Sequence, residues 1–325
     1  MTNVLVTGAG GFIGSHLCER LVVDGWNVRA LCRYTSRREI GNLSYLSPEA
    51  RGAIEIVFGD LGDADFVRGA VSGVDVVFHL GASISVAYSY EDPREVFKTN
   101  AEGSLNVLTA GRDAAVGRIV HMSSSEVYGT AQYTPIDEAH PVHAQSPYAA
   151  SKVAADKLAE TFHYSFGVPV VIARPFNNYG PRQSLRAVIP TIVAQALAGG
   201  TIRLGSTGPR RDFVYVADTV DALVALAHAD NVAGETFNIS TGADISVEEV
   251  VHLTGELLDR PLHVIRDDER VRPARSEVLR LLGSSRKIEE AVGWQPRTAF
   301  RDGLQDVIDW VEMERANLEP GVHAR

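Results

Sequence analysis

Six short β-rich runs recur through the first 175 residues: "NVLVT", "NVRALC", "IEIVF", "DVVFHL", "RIVHMS" and "VPVVIA". The stretches between them carry apolar residues at helical spacing. Strands that alternate with helices pair in parallel, because each crossover returns the chain to the same end of the sheet, and such a sheet is covered on both faces. The expected fold class is therefore α/β: a doubly wound parallel sheet of Rossmann type, with a smaller α/β C-terminal domain.

The first run leads into "VLVTGAGGFIGSHL", which sets Gly8, Gly11 and Gly14 between a strand and a helix. In that setting the glycines serve a tight turn, close backbone approach to a pyrophosphate and close packing of helix on strand. Gly8, Gly11, Phe12, Ile13 and Gly14 are thus candidate cofactor-binding residues. A carboxylate about 20 residues on would hold the ribose 2'-OH of NAD, and Arg33 stands there instead. An arginine accepts a 2'-phosphate, which tilts the expectation from NAD toward NADP. The other reading of Arg33, Arg37 and Arg38 is a solvated basic loop. Asp60 and Leu61 in "VFGDL", and Leu80, Ala82 and Ser83 in "FHLGAS", end further strands where ligands bind in such sheets.

The rhythm loosens after Arg174. That places a dinucleotide-binding domain at 1–175, with 213–240 returning to it, and a substrate domain at 176–212 and 241–325. A length of 325 residues suits two domains, and 45% apolar with 22% charged residues is ordinary globular usage. A net charge of −10 speaks against a nucleic-acid partner, which needs a basic footprint. Cys18 and Cys32 are the only cysteines and the ten histidines lack metal-ligand spacing, so neither a disulfide framework nor a metal site is expected. "HPVH" at 140–143 reads as loop. No apolar run is long enough to span a bilayer and no signal segment opens the chain, which points to the cytoplasm.

"SPYAASKVAADKLAE" reads as a helix with Pro147 in its first turn and Tyr148 and Lys152 one turn apart on one face. A free phenol titrates near 10, and a neighbouring ammonium together with a nicotinamide cation would bring it toward neutrality. Ser124, at the end of the preceding strand, can bond the same sugar hydroxyl. Together "TGAGGFIG", "MSSSEVYG", "SPYAASK", "RPFNNYGPRQ" and "RRDFVYVAD" resemble the extended short-chain dehydrogenase/reductases that act on nucleotide sugars. The resemblance spans nearly the whole chain. It implies a Ser124, Tyr148, Lys152 triad, a nicotinamide cofactor recycled within each turnover, a structural Asn100 beside the cofactor and a homodimer packed through two helices per subunit.

That family holds epimerases, 4,6-dehydratases, decarboxylases and reductases, all served by the same tyrosine and lysine. A dehydratase must also take the C5 proton, acidified once C4 is a ketone, and Glu126 is placed for it. The resemblance to dTDP-glucose 4,6-dehydratases implies an aspartate that protonates the C6 hydroxyl where Ser125 stands; Ser124-Ser125-Glu126 is instead similar to the GDP-mannose 4,6-dehydratases, and a serine hydroxyl donates a proton poorly. UDP-glucuronate decarboxylases also carry a Ser-Glu pair here, so 4-epimerase and decarboxylase remain alternatives. "SEVYGTAQ", "RPFNNYGPRQS", "RAVIPTI" and "RPARSEVLRLL" are similar to the 4,6-dehydratases of the legionaminic acid pathway, which act on GDP-N-acetylglucosamine. For the nucleotide sugar the resemblance implies Arg211 and Arg272 on the diphosphate with Asn177 donating from below, while Ser85 and Tyr179 are candidate lining of the sugar pocket and Val188 is a further substrate-binding candidate. Arg272 also reads as an exposed loop residue, and Arg182 and Arg186 read equally as diphosphate contacts or as exposed loop residues.

Overall fold

The computed structural model describes residues 1–267 and 278–314. Seven parallel strands form one sheet in the spatial order Thr236–Ile239, Val170–Pro175, Arg118–Met122, Val76–His79, Asn3–Thr7, Asn27–Arg33 and Ile54–Gly59. The α/β doubly wound class expected from the alternating runs is the observed one. Successive residues point to opposite faces: Val4 and Val6 join one core cluster with Val76, Phe78 and Val120, while Leu5 joins the other with Val77 and Ile119. Both faces are therefore apolar, which is why these strands lack a polar alternation.

The strand order reverses between Asn3–Thr7 and Val76–His79. Thr7 stands level with both Leu31 and His79, and His79 with His121, so the carboxyl ends of these strands share one edge. In open sheets of this kind that edge, at the reversal, is where ligands bind. Small ladders complete the C-terminal part. Asn177–Tyr179 pairs with Phe213–Tyr215, Thr201–Leu204 with His263–Arg266, and Arg210–Arg211 with both Ile245–Ser246 and Arg280–Leu281. A third core cluster fills this part, with the helices Val188–Ala198 and Phe300–Glu314 contributing Ile192, Val193, Leu304 and Val307. No helix among the described residues is long and apolar enough to cross a membrane.

Candidate active site

The turn after the first strand is built on backbones in contact. Gly8 has φ +69°, and a Cβ there would lie 2.8 Å from Gly81 Cα across the reversal point. A Cβ on Gly14 would lie 2.2 Å from the Gly8 carbonyl oxygen. Gly11 caps the helix Phe12–Val23 in extended conformation and has no side chain to occupy the first-turn amides, which Phe12 and Ile13 begin. An open helix N-terminus behind a side-chain-free turn fits the pyrophosphate of a dinucleotide. Gly14→Ala is expected to cost about 1–3 kcal/mol, since a backbone carbonyl cannot step aside as a side chain would. Thermal denaturation checks it; an unchanged melting temperature would show that the turn has slack.

The remaining cofactor candidates ring the same edge. Arg33 ends the second strand and is exposed. Asp60 is exposed, with Oδ1 accepting from the Gly62 amide at 2.8 Å. Leu61 is buried against Gly81 and Gly103, and its carbonyl accepts from Asn106 Nδ2 at 2.8 Å. Leu80, Ala82 and Ser83 are half-buried. Asn100 sits in a π-helical turn, Lys98–Glu102, which turns its amide toward the strand ends. Its Oδ1 accepts from the Ser83 amide at 2.7 Å, and its Nδ2 donates to the Ser83 carbonyl at 3.0 Å and to Ser151 Oγ at 2.9 Å. These bonds employ both Nδ2 hydrogens and one acceptor site of Oδ1, so Asn100 fixes the Ser83 segment against the helix that carries Tyr148.

That helix runs Pro147–Phe166. Ser146 caps it by accepting from the Ala149 amide, Pro147 takes the first position and Gly167 ends it at φ 68°. Tyr148 and Lys152 are both buried on one face. Ser124 caps the short 3-10 turn Ser125–Tyr128, its Oγ accepting from the Glu126 amide at 3.2 Å. The Ser124 hydroxyl also bears on the neighbouring phenol, and its hydrogen bonding pulls the Tyr148 pKa down. Burial outweighs it and, with the Glu126 carboxylate nearby, the phenol is pushed up to about 12. Ser125 is 3% exposed and Glu126 half-buried.

Lys152 Nζ donates to the Met122 carbonyl at 2.6 Å, so the ammonium is anchored to the strand end. Burial lowers its pKa to about 8, and Asp156, one turn further along the helix, opposes the fall. Asp156 is the centre of a buried network that motif reading does not single out. Its Oδ2 accepts from Arg174 Nη2 at 2.9 Å and Nε at 3.1 Å, and from Ser123 Oγ at 2.8 Å. His121 Nε2 stands 3.5 Å from Oδ1, and Arg174 also reaches the Tyr128 hydroxyl at 3.1 Å. His79, between Thr7 Oγ1 and Ser104 Oγ, is held well below its usual pKa by burial, as an apolar interior disfavours imidazolium. The sequence carries two signals by which the network could be found: the i, i+4 spacing of Tyr148, Lys152 and Asp156, and a lone arginine in the apolar run "VVIARP".

On the substrate side Ser85 caps the helix Val86–Glu91, accepting from the Tyr88 amide at 3.1 Å. Asn177 and Val188 are half-buried, and Asn177 Oδ1 is a buried atom with no hydrogen-bond partner among the described residues. Arg211 is 8% exposed, with Nη1 donating to the Arg210 carbonyl. Tyr179 is buried among Phe213, Tyr215 and Phe300, which makes it core rather than pocket lining. Arg272 lies outside the described residues. His140 is a buried, satisfied loop residue, accepting from the Gln132 amide through Nε2, and no metal-holding group of His, Cys, Asp and Glu occurs among the described residues.

Asp212, next to Arg211, ties this side together. Its carboxylate accepts from the Thr241 amide and hydroxyl, the Gly242 amide and the Gly283 amide, while its carbonyl accepts from the Asn177 amide. Burial still raises its pKa to about 6. The folded state then holds more protons than the unfolded between about pH 4 and 6, so this group's contribution to stability falls as pH rises through that window. Against Asp212→Asn, which does not titrate, the wild type is expected to lose about 2 kcal/mol between pH 4 and 7. Urea midpoints of both proteins test this; a pH-independent difference would refute it.

A family model described as GDP-mannose 4,6 dehydratase matches residues 5–307. The UDP-glucose 4-epimerase of Mycolicibacterium smegmatis is 35% identical, over 95% of this chain and 98% of its own length. A dTDP-glucose 4,6-dehydratase of Streptomyces niveus is 32% identical, over 98% of this chain and 95% of its own. The solved structure of a dTDP-glucose 4,6-dehydratase from Streptomyces venezuelae, with NAD and TYD bound, superposes with a TM-score of 0.86 at 32% identity, covering 98% of this chain and 99% of that one. With its reversed parallel sheet, its glycine turn and these full-length likenesses, the chain belongs to the GDP-mannose 4,6-dehydratase family of nucleotide-sugar dehydratases and epimerases.

Proposed function

We propose that the protein is a nucleotide-sugar 4,6-dehydratase, converting an NDP-hexose to its 4-keto-6-deoxy product. The observation that carries this reading is the half-buried Glu126 in the 3-10 turn that Ser124 caps, its amide bonded to Ser124 Oγ at 3.2 Å and its carboxylate near the Tyr148 phenol. Tyr148 removes the C4 hydroxyl proton, with Ser124 holding the same oxygen. Lys152 keeps a positive charge behind the site, fixed by the Met122 carbonyl. Glu126 takes the C5 proton and, with Ser125 buried and a weak acid, also returns a proton to the departing C6 hydroxyl. The cofactor is a nicotinamide dinucleotide held by Gly8, Gly11, Phe12, Ile13 and Gly14, and when bound it supplies the transient oxidation at C4 and the reduction at C6. A relative solved with NAD supports NAD. Exposed Arg33 supports NADP, and cofactor released by denaturing the purified protein separates the two.

Ser85, Asn177, Val188, Arg211 and Arg272 are assigned to the nucleotide sugar, with GDP-N-acetylglucosamine the first substrate to try. The working form is a homodimer, which light scattering tests, and the buried free thiols of Cys18 and Cys32 suit a reducing cytoplasm. The likeness to a UDP-glucose 4-epimerase favours one second reading, 4-epimerisation on the same scaffold. Incubation with UDP-, GDP-, dTDP- and CDP-linked hexoses, followed by mass spectrometry, decides between them. Loss of one water from a substrate supports dehydration, whereas an unchanged mass at a new retention time makes the protein an epimerase.

A further inference from the structure

The strand Asn177–Tyr179 runs into a loop, residues 180–187, that leads to the helix beginning at Val188. Both ends of this loop therefore carry proposed sugar-side residues. Its first turn is fastened to the opposite side of the site. His16 Nε2 bonds the Pro181 carbonyl at 3.0 Å, and Arg182 Nη2 donates to Glu19 Oε2 at 2.8 Å, both from the helix that follows the glycine turn. Burial lowers the His16 pKa, which leaves a neutral ring to donate through Nε2. The Arg182 carbonyl accepts from Asn42 Nδ2 at 2.8 Å.

Asn42 is in turn locked to the glycine turn. Its amide donates to the Gly10 carbonyl at 2.9 Å, and Gly41 lies so close that a Cβ would meet the Gly10 oxygen at 2.3 Å. Gly41 has φ +59°, which glycine takes freely. Arg182 has φ +66°, a conformation a long side chain adopts only when its surroundings impose it. The three bonds to Pro181 and Arg182 are those surroundings. One asparagine thus bridges the phosphate-side turn and the sugar-side loop, through its main chain on one side and its side chain on the other.

We propose that Asn42, Glu19 and His16 form a clasp on the Pro181–Arg182 turn, which keeps the cofactor in place from one turnover to the next and sets the sugar-side loop. Asn42 and Arg182 are positioning residues in this arrangement. The proposal rests on the nicotinamide reading above. A cofactor oxidised and reduced within one turnover has no need to exchange, and the glycine turn cannot open around Gly10 without disturbing Asn42 and hence Arg182.

The test uses full-length protein loaded with nicotinamide dinucleotide, and follows its release by exchange against excess labelled dinucleotide. Loss of one such hydrogen bond is expected to speed release about tenfold in Asn42→Ala and in Glu19→Ala. Glu19→Gln, which still accepts from Arg182, should stay close to wild type. The sugar-nucleotide KM should rise in both alanine variants while kcat changes less than about threefold, because no reacting group is touched. Release within about twofold of wild type in both would overturn the clasp, a change too small for a lost bond. Should Asn42→Ala fail to fold, Glu19→Ala alone decides. Wild type that holds no nicotinamide at all would sink the functional reading and the clasp with it. Wild type that holds it while the variants release it no faster sinks the clasp alone.

Discussion

Glu126→Gln is expected to lower formation of the dehydrated product by about 10²–10⁴-fold, the usual worth of a general base. Glutamine matches the glutamate in size, and the bond from the residue 126 amide to Ser124 Oγ is a main-chain one, so the 3-10 turn stays as it is. What changes is the proton acceptor. The substitution also removes a negative charge that holds the Tyr148 phenol up, so C4 oxidation should proceed at least as readily as before. A dehydratase would then stall after the first half of its reaction, visible as a rise in the near-ultraviolet absorbance of reduced nicotinamide. An epimerase, with no C5 proton to move, would keep its rate, and that result would take Glu126 out of the chemistry.

Asp156→Ala is expected to cost about 3–5 kcal/mol of stability, the range for removing one partner of a buried ion pair. Arg174 is 4% exposed and spends two of its donors on Asp156, so the substitution strands a guanidinium in the interior. Ser123 loses its acceptor in the same step. Lys152 would lose the charge that opposes its desolvation, and its pKa should drop further. Asp156→Asn, which keeps an acceptor oxygen for Arg174, should cost less. Urea denaturation at neutral pH measures both, and a cost for Asp156→Ala below about 1 kcal/mol would mean that water enters to replace the carboxylate.

Much of the site is local in sequence. Tyr148 and Lys152 share a helix whose cap, first-position proline and terminal glycine are all contiguous, so their common face follows from helical spacing alone. The glycine turn is local too, because a positive φ and a missing Cβ are properties of single residues. Asn100 was legible as a residue near the site, but its employment was not. The π-helical turn that aims it depends on packing against Ser83 and Ser151, 17 and 51 residues away.

The sequence by itself determined the α/β class, through apolar runs that only a two-sided parallel sheet can bury, and it determined the turn, the tyrosine, the lysine and the serine that face one edge. Only the tertiary structure decided that Lys152 is held by the Met122 carbonyl, that Asp156 and Arg174 form a buried ion pair, that Tyr179 is core, and that Asn42 meets Arg182 from 140 positions away. The physical reason is the same in each case. Torsional preference and amphipathic spacing act over a few residues and can be read along the chain, whereas desolvation and hydrogen-bond satisfaction depend on which distant segments the sheet brings into contact.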